Sequence, residues 1–457
     1  MSETGLKMHE ISRGLNLPLS GETSTREAPA PSVDLVAVVA ADYVGMRPRM
    51  HVKVGDTVKR GTVLFEDRKT PGVLFTSPAG GVVEAVERGE RRALQNVVIR
   101  VADVEEDEVF ESYTGRQPQD LISADMEALM VESGMWTALR TRPFSRTPIP
   151  GSRPSSIFVT AMDTAPLATP PQVVLASRAE GFEMGLRGLV ALADGRPVYL
   201  CRERGVDLPG TEVRDVEVHD FSGPHPAGTV GIHIHLVDPV NADKTVWHMG
   251  YQDVVALGEL LSTGKLFVER VVSIGGPAIA KPGLLTTRFG AEAAPLVEGR
   301  LVDGEVRLIN GSALYGRALV DPYRFLGPFQ HQLTGLMEDR ERRFLGWMAP
   351  GGDRFSIKPL FLSRLTARGK EFPLNTSIHG SRRAVVPFGA FEEVLPFDTH
   401  PVFLLRALLS QDIPLALDLG VLDLDEEDLA LCTFACPGKN DYGAALREVL
   451  TVIEKEG

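Results

Sequence analysis

The chain has 457 residues, 43% hydrophobic and 24% charged, with a mean hydropathy of −0.01, the profile of a soluble globular protein of about three or four domains. A formal net charge of −13 argues against a nucleic-acid partner and against broad adhesion to anionic lipid, both of which want a basic surface. Three cysteines do not make a disulfide framework and suit a reducing cytoplasm. No run reaches the ~18 apolar residues of a membrane span, and Met1-Ser-Glu-Thr-Gly-Leu predicts no signal peptide.

Residues 1–103 alternate apolar and polar residues between turn glycines, which predicts strands. His51-Val-Lys-Val-Gly-Asp56-Thr-Val-Lys-Arg-Gly61-Thr-Val-Leu-Phe65, followed by Thr76-Ser-Pro78-Ala-Gly80-Gly-Val-Val, is the turn-and-strand pattern of biotinyl/lipoyl barrel-sandwich domains. Lys69 lies near the place of a lipoyl lysine. Its context, Asp67-Arg-Lys-Thr-Pro71-Gly, is not the compact hairpin that presents one, so it is read as an ordinary surface lysine.

Residues 104–260 open with the acidic stretch Glu105–Glu108 and a helical run near Leu121–Ser133. The segment Trp136-Thr-Ala-Leu-Arg140-Thr-Arg142-Pro143-Phe144-Ser-Arg146 is predicted as a loop. Arginine beside aromatic side chains suits an interface anchor or a ring-shaped ligand, and a solvated loop with one buried tryptophan fits equally well. Then Ile157–Ala161, an amphipathic helix at Ala179–Ala193 and Val198–Cys201 read strand, helix, strand, a Rossmann-like α/β unit. No G-x-G-x-x-G follows the first strand, so the pyrophosphate-binding turn is missing, and Cys201 reads as core. In Pro224-His225-Pro-Ala-Gly228-Thr-Val-Gly-Ile-His233-Ile-His235, His233 and His235 at i, i+2 would share one face of a strand. That pair suits either a metal or bonds to backbone carbonyls, and no metal is expected; Gly228 allows something to approach the backbone closely.

Residues 261–328 return to strands and turns and predict a β-grasp (ubiquitin-like, SLBB-type) module; residues 329–457 predict a C-terminal helical domain. Near the end, Cys432-Thr-Phe-Ala-Cys436-Pro437 reproduces the closing C-x3-C-P of the bacterial ferredoxin pattern. The two preceding ligand positions hold Glu426 and Leu429, so the chain cannot close a four-iron cluster unaided.

From end to end the chain resembles the NqrA family, a component of the sodium-translocating NADH:quinone oxidoreductase (Nqr). The resemblance rests on Gly14-Leu-Asn-Leu-Pro18, Tyr43-Val-Gly-Met-Arg-Pro48, Arg140-Thr-Arg-Pro-Phe-Ser145 and Thr160-Ala-Met-Asp163. It continues through Phe221-Ser-Gly-Pro-His-Pro-Ala-Gly228, Tyr251-Gln-Asp253 and Leu431-Cys-Thr-Phe-Ala-Cys-Pro-Gly-Lys439. Ala165 departs from the asparagine expected there. Related subunits of the Rnf complex keep full ferredoxin motifs, and the complex I flavoprotein subunit keeps NADH, FMN and cluster sites. The resemblance implies a peripheral subunit on the cytoplasmic face of the bacterial inner membrane, with five partners (subunits B, C, D, E and F). Ubiquinone would be the substrate of the complex, and flavins and the 2Fe-2S cluster would lie in other subunits, leaving this one without a tightly bound cofactor or an NADH site. For a quinone head, donors beside aromatic walls occur at Tyr43, Met46, Arg47 and Arg49, and at Trp136, Arg140, Arg142 and Phe144; binding of neighbouring subunits by these segments is the equal alternative. The rival readings are a soluble flavin oxidoreductase and a purely structural docking subunit.

Overall fold

The structure, a computed structural model, describes residues 7–340, 348–366 and 369–456. Four sheets organise it. The barrel-sandwich is built from a four-stranded sheet (Leu35–Val39, Leu94–Val101, Gly81–Arg88, Thr57–Val58, in that spatial order) and a three-stranded one (Pro48–Met50, Val63–Asp67, Leu74–Thr76). Its turns need glycine where predicted. Gly55 and Gly61 have φ of 91° and 98°, and a Cβ on Gly61 would stand 2.9 Å from the Phe110 ring.

The α/β unit is a six-stranded sheet in the order Lys7–Glu10, Val216–Ser222, Val198–Glu203, Ile157–Ala161, Val246–Gly250, Arg140–Arg142. The first five run parallel and the last is antiparallel, so the sheet reverses its winding between Ile157–Ala161 and Val246–Gly250. One face is covered by the helices Ala179–Ala193 and Tyr251–Thr263, which meet through glycines: a Cβ on Gly258 would lie 1.8 Å from the Gly181 carbonyl oxygen. The other face buries Phe158, Cys201 and Phe221 against the helix Val230–Val237 and the C-terminal helices Pro401–Ser410, Ala430–Ala435 and Tyr442–Glu456. Tyr442, Leu446, Val449 and Leu450 form the inward stripe of the last helix, the 3.6-residue spacing of an amphipathic segment.

The β-grasp unit is a six-stranded mixed sheet, Arg317–Ala318, Val306–Asn310, Gln332–Met337, Glu269–Gly275, Gly283–Arg288, Glu27–Pro29. The leading residues of the chain thus serve the two later units: Lys7 pairs with His219, and Glu27 with Leu284.

Two predicted elements differ. The segment holding His233 and His235 is the helix Val230–Val237, not a strand, so the two rings leave opposite sides of it. The segment 136–146 is a loop only in part: a short 3-10 turn at Met135–Ala138 leads into the edge strand Arg140–Arg142, paired with Val246–Gly250, and only residues 143–146 turn away from it.

Candidate functional site

The two predicted quinone segments meet at the junction of the three β units. Tyr43 is buried, its ring edge-on to Phe75 (4.6 Å) and Phe329 (5.8 Å), and the Arg140 guanidinium lies 4.4 Å over the same Phe329 ring. Burial, then nearby Asp42, pushes the Tyr43 hydroxyl well above its usual range, against a hydrogen bond with Thr137. Beside it, Arg270 donates to Asp253 at 2.6 Å while the Arg270 Nε has no partner. Tyr43, Phe75, Thr137, Asp253, Arg270 and Phe289 line a cavity of about 50 Å³. Arg146 clamps the two segments together by donating to the Val44 carbonyl and, at 2.7 Å, to Glu454; Gly45 leaves room for that guanidinium, because a Cβ would overlap it at 1.3 Å.

The other predicted residues divide. Met46 packs half-buried on the barrel-sandwich core, while Arg47 is exposed and bonds through its backbone, its amide donating to Asp67 at 2.9 Å and its carbonyl accepting from Arg68 at 2.8 Å. Arg49 pairs with Glu66 at 3.4 Å. Trp136 is fully buried, donating its indole N–H to the Pro148 carbonyl at 2.8 Å and standing edge-on to Trp247. Phe144 is a half-buried turn residue at φ 78° whose carbonyl accepts from Arg447.

Arg142 is fully buried in an ionic knot that sequence reasoning did not anticipate. It donates to Asp428 (3.0 Å), Glu427 (3.3 Å) and the Asp423 carbonyl (3.3 Å), and Asp425 stands 3.5 Å away. Arg447 closes the other side on Glu426 (2.6 Å) and Asp425. Burial, with Asp428 next to it, pushes the Glu427 carboxyl up to about 7; burial would raise Asp425 too, but Arg142 and Arg447 hold it well below the carboxylate range. Asp428 also accepts from Thr229 at 3.3 Å, at the start of the helix Val230–Val237, and a Cβ on Gly231 would lie 2.3 Å from its carboxylate. An internal carboxylate therefore occupies the helix end where a free anion would bind. The signal for the knot was the run Asp425-Glu-Glu-Asp428, four acids immediately before a buried helix.

Glu426 and Leu429, at the two absent ligand positions of the ferredoxin pattern, are respectively bound to Arg447 and fully buried. Cys432 and Cys436 are buried too; burial raises the Cys432 thiol, and the Cys436 sulfur lies 3.2 Å from the Tyr442 hydroxyl.

The histidine-rich segment is tied internally. His225 shares a 3.1 Å bond with Thr164, His233 one of 3.0 Å with the Ala227 carbonyl, and His235 one of 3.0 Å with Asp423. Burial pushes His225 down to about 4 and His233 to about 3. The close approach at Gly228 is made by Thr164, whose backbone nitrogen a Cβ would meet at 2.6 Å. Among the described residues no group of three or more His, Cys, Asp or Glu is placed to hold a metal. At the winding reversal, burial pushes Asp163 up to about 6; its one carboxylate bond comes from the amide of Ala165, at 2.8 Å.

A barrel-sandwich, a Rossmann-like unit without its phosphate turn, a β-grasp sheet and a helical end with half a ferredoxin motif define a composite redox-complex subunit. Residues 9–102 match the NqrA N-terminal barrel-sandwich hybrid domain, 121–266 the NqrA second alpha/beta domain and 271–320 the NQRA C-terminal domain, of SLBB type. NqrA proteins, named for the Na(+)-translocating NADH-quinone reductase, are 50% identical in Saccharophagus degradans, 48% in Yersinia pseudotuberculosis and 49% in Klebsiella pneumoniae, each match covering 98% of this chain and 100% of the relative. The chain belongs to the NqrA family, which supplies one subunit of the Na+-translocating NADH-quinone reductase, an oxidoreductase complex. Among solved structures, an NAD+-reducing [NiFe]-hydrogenase is 12% identical over 50% of this chain with a TM-score of 0.35, too slight a likeness to carry an argument.

Proposed function

We propose that the chain is a peripheral subunit on the cytoplasmic face of the Nqr complex, without an NADH site of its own, that contributes to ubiquinone contact and to assembly with subunits B, C, D, E and F. The observation that carries the quinone part is Arg140 over Phe329 beside Tyr43, a cationic donor on an aromatic wall at the point where three units meet. A quinone needs that pairing: ring stacking for the head and a donor for a carbonyl oxygen, which becomes more strongly bonded as negative charge develops on reduction. The cavity on the Tyr43 side, about 50 Å³, is below the few hundred Å³ of a ligand pocket, so a quinone head would lie across the Phe329 ring or enter only as side chains lining that cavity, such as Tyr43 and Phe289, move aside. That no helix among the described residues is long and apolar enough to cross a membrane accords with a peripheral place.

The test is Arg140→Ala and Tyr43→Phe in the assembled complex. Loss of a charged hydrogen bond predicts a KM for quinone about tenfold higher for Arg140→Ala, with NADH oxidation by an artificial acceptor unchanged. An unchanged quinone KM in both variants overturns the contact. Loss of the subunit from the complex instead favours the structural docking role.

A further inference from the structure

Residues 348–386 combine two features. Six large apolar side chains are exposed there, Met348, Leu360, Leu362, Leu365, Ile378 and Val386, with Leu360 at 77% and Leu365 at 82%. Residues 351–384 also hold seven Lys and Arg against two Asp and Glu, a local balance of +5 in a chain of −13, which leaves −18 on the remainder. Beside the leucines lies a cavity of about 340 Å³ whose lining includes Phe355, Lys358, Phe361, Arg364, Lys370 and Phe372. The segment is held to the body: Phe372 donates its amide to Pro18 at 2.7 Å and accepts from Ser20 at 3.0 Å, and Phe355 lies between the rings of Phe372 and Phe434 at 5.9 and 6.3 Å. Lys358 pairs with Glu393, whereas Arg364 and Lys370 are exposed at the cavity.

We infer that this face lies on an anionic phospholipid bilayer, with headgroup phosphates at Arg364 and Lys370 and with Leu360 and Leu365 inserted below headgroup level. The inference rests on the peripheral placement proposed above and adds the face and the lipid chemistry. Exposed leucines alone would suit any apolar partner; cations between them select a surface of negative charge. The same surface repels the −18 carried by the rest of the molecule, so the charge asymmetry permits one orientation.

The test is sedimentation of the purified full chain with vesicles of phosphatidylcholine, alone or mixed with phosphatidylglycerol. The expected result is binding to the mixed vesicles only, weakened by salt. At about 1 kcal/mol, or fivefold, for each cation at the surface, Arg364→Gln with Lys370→Gln weakens it about 25-fold. Leu360→Ser with Leu365→Ser weakens it at low and high salt alike. Equal binding to both vesicle types, or double variants that bind like the wild type, overturns the inference. No vesicle binding by the wild type also overturns it. If these variants are then lost from the purified complex, a protein subunit covers this face and the peripheral placement stands; if the wild type is not recovered with membranes at all, that placement fails as well.

Discussion

Arg140 and Arg142 leave the same edge strand on the same side, two residues apart, opposite His248 and Val246. Arg142 points into protein on every side and meets Asp425, Glu427 and Asp428. Arg140 keeps part of its surface and meets an aromatic face instead of a carboxylate. What surrounds each guanidinium, and not its position in the motif, separates a structural rivet from a donor still available to a ligand. A buried arginine whose charge is balanced three times over has little left to offer a carbonyl oxygen.

Removing the rivet has the largest expected effect. Arg142→Ala leaves buried carboxylates uncompensated and is expected to destabilise the chain by about 3–5 kcal/mol in urea unfolding; a loss under about 1 kcal/mol would mean the knot relaxes by taking up protons. Next is Gly231→Ala, which by helix propensity should stabilise by ~1 kcal/mol. Here the new methyl displaces Asp428 from both Arg142 and the helix end, so a net loss of about 1–3 kcal/mol is expected. A gain would show that the Asp428 contact is dispensable.

A proton provides the third perturbation. Asp163 has a folded pKa raised to about 6 from 3.8, so the folded state holds its proton more tightly than the unfolded one. Stability from this group is complete below about pH 4 and is lost as pH rises towards 6, by on the order of 2 kcal/mol. Asp163→Asn keeps the oxygen that accepts from Ala165, so it should match the wild type at pH 4 and exceed it at pH 7 in urea midpoint; equal midpoints at both values would sink the idea. The smallest change in stability is expected for Arg140→Ala, about 0.5–1 kcal/mol for a cation–π contact at a partly exposed site. A loss as large as that of Arg142→Ala would erase the distinction between the two arginines.

Much of the fold was legible because its signals are local. Glycines in the barrel-sandwich turns and the strand, helix, strand order from Ile157 to Cys201 each report on their own neighbourhood. The helix Val230–Val237 was misread for a physical reason. Val230, Gly231, Ile232, His233 and Ile234 are all buried between the sheet and the C-terminal helices, so no polar face marks a 3.6-residue period, and alternating isoleucine and histidine imitate a strand. The knot shows in the sequence only as the acidic run at 425–428, because Arg142 finds Asp428 some 286 residues later and a charge run looks solvated until its partner is known. The donor-and-aromatic segments around Tyr43 and Arg140 were the readable part of the candidate site; Phe329, Asp253 and Arg270, which complete it, carry no local signature.

The chain's opening residues bear on biosynthesis. Lys7–Glu10 waits for Val216–Ser222, and Glu27–Pro29 for Gly283–Arg288, before either has a strand to lie beside. As the nascent polypeptide emerges, the barrel-sandwich from Leu35 onward has its partners at once, whereas the residues ahead of it stay unpaired until about half of the molecule or more has been translated. A fragment cut to contain only the α/β unit would expose Val216–Ser222 as a raw sheet margin, an invitation to pair with a second copy.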